Sequence, residues 1–213
     1  MMQSSVPSNA VIRRGLLLGA TLGTALLLSA CGGGDQAADS GMNHGNMPSV
    51  AASANAASND ADVTFAQSMI MHHQQAVKMA SLADSRAGDA EVKSLAVKIR
   101  EAQQPEIDTM NEWLTAWGKP APDMSMGSGM QEQHGSMPGM MSDADMDKLM
   151  KAKGAAFDKQ FLTMMMGHHN GAIEMAKQEV AQGSNPDAKA LAEKIITDQQ
   201  AEITTMQSIL ERM

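Results

Sequence analysis

Two His-His pairs, His72-His73 and His168-His169, are the residues of this chain best suited to chemistry. Each first histidine follows one methionine by three residues, Met69 or Met165, and precedes another by seven, Met79 or Met175. Thioether sulfur and neutral imidazole are soft or borderline ligands, so a carboxylate-poor set of this kind favours copper, above all Cu(I), over Mg(II), Ca(II) or Mn(II). Later in each copy, Gln103, Glu106 and Met110 recur as Gln199, Glu202 and Met206, able to hydrogen-bond a ring nitrogen or add a ligand from a facing helix. Taken singly, a core histidine is more often a hydrogen-bonded structural residue and Met is a common core filler. Duplication of the whole set is what favours metal. Outside any periodic pattern stand Met42, His44 and Met47, then Met124, Met126, Met130, His134, Met137, Met140 and Met141. An exposed methionine has no core to fill, so these are expected to act as weak loop ligands. Compositional drift and sacrificial oxidation are the competing explanations.

The histidine pairs belong to an internal duplication. Residues 62–114 align without a gap to 158–210, with 20 of 53 positions identical, far more than chance gives. In the first copy, positions 65, 69, 72, 76, 79 and 83 step by four and three, one stripe of a 3.6-residue helix. In the second, 161, 165, 168, 172, 175 and 179 do the same, ending on Glu179. His72 and His168 fall on the stripe, and His73 and His169 about 100° away at the flank. Asn59, Asp89 and Asn185 suit N-caps, Asn185 with Pro186 at the first helical position. Ser142 and Asp145 are spaced as a capping pair for a short helix up to Lys153, and Pro105 is expected to kink helix two. None of four helices of about 22 to 28 residues can hide its stripe alone. The expected fold is all-α, a four-helix bundle of two pseudo-symmetric hairpins, residues 59–117 and 142–213, joined by a methionine-rich connector over 118–141.

The N-terminal segment speaks to location. Arg13-Arg14 precede an uncharged stretch from Gly15 to Ala30, the pattern of an export signal and too short for a comfortable membrane span of about 20 residues. Leu28-Ser29-Ala30-Cys31 then resembles the lipobox of bacterial lipoproteins, a family in which the signal, here residues 1–30, is removed and the cysteine is acylated. Cys31 is the only cysteine, so it has no partner for an internal disulfide, and two or more acyl chains hold a protein firmly to a bilayer. Residues 32–58 read as a flexible tether, too small and polar to offset the entropy of ordering. The expected location is the cell envelope, outside the cytoplasm and lipid-anchored. Gly32 resembles an outer-membrane sorting signal if the cell has such a membrane. The route of export stays open.

Removal of the signal takes away two of the 16 basic residues and none of the 24 acidic ones, leaving 14 − 24 = −10. Such a balance disfavours nucleic-acid binding, since a phosphate-binding surface wants concentrated Lys and Arg. No His-Glu-x-x-His, phosphate-binding glycine loop or paired nucleophile and base is present, so an enzyme is not expected.

The motif Asp62, Phe65, Met69, His72-His73, Ala76, Met79-Ala80, followed by Ile99, Gln103, Glu106-Ile107 and Met110, resembles a bacterial family catalogued as domain of unknown function 305. That resemblance implies a ferritin-like helical bundle, and copper binding or copper resistance of the kind described for some exported members, without enzymatic activity. It points to Met69, His72, His73, Met79, Met165, His168, His169 and Met175 as the positions of the motif; the copies differ at Gly167, where the first has Met71. Copper sequestration, tolerance or delivery is then the expected role, with a copper-donor or acceptor protein as partner and self-association possible. A structural or partner-binding envelope lipoprotein without metal is the alternative. A di-iron oxidase or store is disfavoured, because such bundles need Glu-x-x-His on two helices and none occurs here. Replacing Cys31 by Ser is expected to abolish lipid incorporation and lipoprotein-specific cleavage, which intact-mass measurement of the membrane fraction reads directly.

Overall fold

The computed structural model describes residues 57–122 and 137–213, all within one compact unit. Cys31, Met42, His44 and Met47 of the N-terminal segment, and Met124, Met126, Met130 and His134 of the connector, lie outside the described residues. The described residues form five helices in order: α1 Asp60–Arg86, α2 Ala90–Ala116, α3 Asp143–Lys151, α4 Ala155–Gln182 and α5 Pro186–Glu211. The α1–α2 and α4–α5 pairs are hairpins, and α1 packs on α4 to join them, while α2 and α5 barely touch. The protein is therefore an all-α, pseudo-symmetric, ferritin-like bundle of two hairpins.

Local chemistry sets the helix ends. Asn59 closes a full capping box with Asp62, Asp89 accepts from the Glu91 and Val92 amides, and Asn185 from those of Asp187 and Ala188. Ser142 caps α3, as the Ser142/Asp145 spacing predicts. α2 runs unbroken past Pro105, whose ring lies on the exposed face and withholds from the Glu101 carbonyl the amide that would bond it in a regular helix.

Two apolar clusters fill the bundle. One joins Ala76, Met79 and Ala83 of α1 to Val92, Leu95 and Ile99 of α2, Phe157, Phe161 and Met165 of α4 and Met206 of α5. The other joins Phe65, Met69 and Ile70 of α1 to Met110 and Leu114 of α2, Met175 and Ala176 of α4 and Ala192 and Ile195 of α5. The first half of α1 thus meets the second half of α4, so the two helices run antiparallel. Each fully buried large side chain contributes about 1.5 to 3 kcal/mol.

Two aspartates clamp the hairpins together reciprocally. Asp62, buried in α1, accepts from the amides of Ser184 and Asn185 in the α4–α5 turn, at 3.0 and 2.9 Å. Asp158, its repeat equivalent in α4, accepts from Gly88 and Asp89 in the α1–α2 turn, at 3.1 and 2.9 Å. Each hairpin turn is therefore closed by a carboxylate of the other hairpin.

The symmetry breaks at Glu179, the counterpart of Ala83. Glu179 is buried and its carboxyl lies against Asp62, with Gly183 leaving the room: a Cβ there would sit 2.1 Å from Glu179 Oε1. Burial and the neighbouring Asp62 push the Glu179 carboxyl up to about 8. Asp62 is lowered although burial opposes its ionisation, because the backbone amides of Asn59 and Asn185 and the Ser184 hydroxyl donate to it. A raised acid binds its proton more tightly folded than unfolded. Its stabilising contribution is complete below about pH 4.5 and is lost as pH rises towards 8. Glu179→Gln keeps a neutral side chain of the same size beside Asp62 and removes that proton linkage. It is expected to match wild type near pH 4.5 and to exceed it progressively up to pH 8, by at most about 1.4 kcal/mol per pH unit, in urea denaturation across that range.

Candidate metal centre

The antiparallel crossing of α1 and α4 brings the two histidine pairs together between the apolar clusters. His72 and His168 meet ring against ring, with centroids 3.7 Å apart and planes tilted by 37°. All four histidines are fully buried, including His73 and His169, which their flank position alone does not predict. The cause is the second helix of each hairpin, which covers that flank with a carboxylate.

Three of the four rings are held through Nε2. His73 Nε2 donates to Glu106 Oε2 at 2.8 Å, and His169 Nε2 to Glu202 Oε2 at 2.6 Å, the same bond in each hairpin. His72 Nε2 donates to the Pro138 carbonyl at 3.1 Å. An acceptor at Nε2 places the ring proton there, so in the neutral imidazole Nδ1 keeps the lone pair. In all three rings Nδ1 is buried without a hydrogen-bond partner. His168 has no partner at either nitrogen. Ligating histidines are characteristically oriented through their other ring nitrogen by a carboxylate or carbonyl, the pattern these three rings show. Glu106 also accepts from Lys194 Nζ at 2.9 Å; burial opposes its ionisation, but His73 and Lys194 hold it below the usual range. Gln103 is buried in the same layer with both amide atoms unpartnered, and Gln199 with an unpartnered Oε1.

The methionines divide between the two sides of this layer. Met69 and Met79 are ten residues apart, about 15 Å along α1, and cannot share one ion. They fall in different clusters: Met79 with Met165 and Met206, and Met69 with Met110 and Met175. Met146 of α3 adds a fourth methionine to the first cluster; apart from it, each cluster draws one thioether from each of three helices, and these two groups of three are related by the repeat. Among the described residues no three His, Cys, Asp or Glu converge as a ligand set, so an ion held here needs thioether or amide donors as well.

The end of the connector belongs to the site. Met137, Met140 and Met141 are partly buried, and residues 137–141 cross α4 beside the His72–His168 contact. Gln75 grips the strap by both backbone groups of Met141: its Nε2 donates to the carbonyl at 2.9 Å and its Oε1 accepts from the amide at 2.7 Å. Gly139 has φ of +76°, and a Cβ there would lie 2.7 Å from the Gly167 carbonyl. Met137 and Met175 line a common cleft of about 430 Å3 between the start of α1 and the end of α4. Motif spacing singled out neither Gln75, Pro138 nor Gly171, and marked Glu179 only as the last position of the helical stripe. The signal for three of them was present where the copies differ: Gln75 against Gly171, and Ala83 against Glu179.

Burial, followed by the repulsion of His73, drives His72 down to about 3, although the Pro138 bond opposes the shift; burial holds His168 well below its ordinary value. Both rings are neutral in the folded protein at neutral pH, the form that binds metal. For a base lowered by folding, stability is complete above about pH 6.5 and falls as pH decreases, because the unfolded chain takes protons the folded one refuses. Urea midpoints are expected to fall from pH 6.5 towards 4.5 against the opposite trend of Glu179. His168→Gln should remove about half of the histidine slope, and an unchanged slope would contradict the buried neutral pair.

Known proteins share this architecture. A DUF305 protein of Streptomyces coelicolor, described as secreted, superposes with a TM-score of 0.64 at 35% identity, covering 71% of this chain and 91% of that one. CopM in its Cu(I)-bound form superposes with a TM-score of 0.59 at 31% identity, covering 71% and 96%. Protein L153 of Acanthamoeba polyphaga mimivirus, itself uncharacterized, is 48% identical over 54 residues; the match spans 25% of this chain and about a third of that protein's length. The family model described as Domain of unknown function (DUF305) matches residues 62–210, both hairpins and the crossing between them, and the chain belongs to that family.

Proposed function

We propose that this protein binds copper outside the cytoplasm, principally as Cu(I), through the buried histidines and flanking methionines, and serves copper sequestration, tolerance or delivery. The observation that carries the proposal is the repeated imidazole whose Nε2 is anchored and whose buried Nδ1 has no partner, set between two groups of three thioethers. Nδ1 of His72, His73 and His169, either nitrogen of His168, and Met69, Met79, Met110, Met165, Met175 and Met206 are the donors on offer. Glu106 and Glu202 orient rings, and Gln103 and Gln199 are held in reserve beside them. CopM, of the same fold, has been solved with Cu(I), Cu(II) and Ag, which supports a soft-metal preference here. The role is binding and transfer, not catalysis.

The connector methionines Met124, Met126, Met130, Met137, Met140 and Met141, with His134, form a weaker collecting segment, as do Met42, His44 and Met47 of the tether. Met137 shares a cleft with Met175, which gives collected metal a way towards the bundle. Among the described residues no helix is long and apolar enough to cross a membrane, so attachment in this proposal rests on lipid at Cys31. Copper passes to or from a partner protein of the envelope, and nucleic acid plays no part.

Binding to the folded chain alone raises stability by about 2.7 kcal/mol when free metal is a hundredfold above Kd. Cu(I) should therefore raise the melting temperature, and Zn(II), which prefers imidazole and carboxylate to thioether, should raise it less. Replacing Met79 and Met175 by Leu should alter metal-free stability by less than about 1.5 kcal/mol while reducing the copper-dependent gain. If that double variant and a His72→Gln/His168→Gln variant both titrate with Cu(I) like wild type against a competing chelator, the bundle residues are structural and the proposal fails.

A further inference from the structure

The repeat is interrupted at one turn of helix, and the interruption has a use. Gln75 and Gly171 occupy the same position in the two copies. Gln75 ties the strap down through Met141, and Gly171 makes room for it: a Cβ at position 171 would lie 2.0 Å from the Pro138 carbonyl oxygen and 2.7 Å from the Gly139 amide nitrogen. A glutamine in both copies would leave no place for the strap, and a glycine in both would leave nothing to hold it. The product of this arrangement is the position of one atom, the Pro138 oxygen, 3.1 Å from His72 Nε2. A carbonyl only accepts, so it selects the His72 tautomer with its proton on Nε2. Neither nitrogen of His168 has a partner at hydrogen-bond geometry among the described residues; its surroundings are the ring of His72, 3.7 Å away between centroids, and the nearby His72 backbone.

We propose that Gln75 is a positioning residue of the metal centre: by holding the strap it fixes His72 as the Nε2–H tautomer with Nδ1 as its ligating atom, and so makes the two halves of the duplicated site inequivalent. This rests on the copper-binding proposal above for its consequence, but not for its geometry. His72 is presented as a pre-oriented ligand. His168 is the ring left to adapt to whatever His72 holds. Because the latch acts on the strap backbone, the methionine side chains of the connector contribute nothing to the selection.

The test uses the full chain in detergent, with isotopically labelled histidine, and two variants that disturb the strap by opposite means. Gln75→Ala unties it; Gly171→Ala crowds it out. In metal-free wild type, nitrogen NMR should show the His72 imidazole, assigned by its loss in His72→Gln, as a pure Nε2–H tautomer. Both variants should shift that signal to a tautomer mixture while the His73 and His169 signals, set by Glu106 and Glu202, stay in place. Cu(I) affinity against a competing chelator should fall about 10- to 100-fold in each variant, the usual cost of losing a group that orients a ligand. Gln75→Ala introduces no crowding, so it decides the matter even if Gly171→Ala does not fold. Retention of the Nε2–H tautomer in Gln75→Ala, with Cu(I) affinity within twofold of wild type, overturns the inference. Wild type that fails to bind Cu(I) overturns the copper proposal instead, and the tautomer signals still decide what Gln75 does.

Discussion

Four imidazoles in the middle of an apolar bundle impose the constraint from which most of this structure follows. A buried polar ring without a partner is costly, and a charged one far more so. The protein keeps the touching His72 and His168 rings neutral through burial and directs its hydrogen-bonding to one nitrogen of each of three rings. Glu106 and Glu202 must then lie on α2 and α5 facing the histidines. The apolar side chains must part into two clusters, above and below the polar layer, and α1 must cross α4 at His72 and His168 and nowhere else.

Within that frame, departures from symmetry are more informative than the symmetry itself. The duplicated His–Glu pairs alone would serve a structural layer as well as a metal site. Unpartnered Nδ1 atoms and an unpartnered Gln103 do nothing evident for stability. Proteins tolerate such local costs chiefly where a ligand later removes them. Thioether sulfur suits the surroundings because it packs as an apolar group when no ion is bound, so the two methionine sets are not left as buried polar atoms.

Helix number, caps and hairpin pairing were legible in the sequence because they are local: a 3.6-residue stripe, Asn59, Asp89, Asn185 and Ser142 at the starts, and a gapless repeat requiring two equivalent units. The candidate site was legible as a set of residue types but not as a grouping. Along one helix, Met69, His72 and Met79 look like one constellation; in the bundle each methionine joins thioethers of other helices, on opposite sides of the histidines. Chain crossing decides that, and no window of sequence contains it. His73 and His169 looked peripheral for the same reason, since the carboxylates that bury them lie 33 residues onward. The strap escaped notice because its hold is on backbone atoms of Pro138 and Met141, which carry no signature in side-chain pattern.

The reciprocal aspartates record how such a chain can arise. Asp62 closes the turn before Asn185 and Asp158 closes the turn before Asp89, so each hairpin completes the other and neither completes itself. A single ancestral hairpin with these contacts would have been finished only by a second copy of itself, as a two-fold homodimer with both histidine pairs on the axis. Fusion of two such copies converts an encounter between molecules into a tethered one and frees the halves to diverge. Only after that step can one position be glutamine in one half and glycine in the other, so the strap over His72 is a feature that a symmetric ancestor had no means to encode.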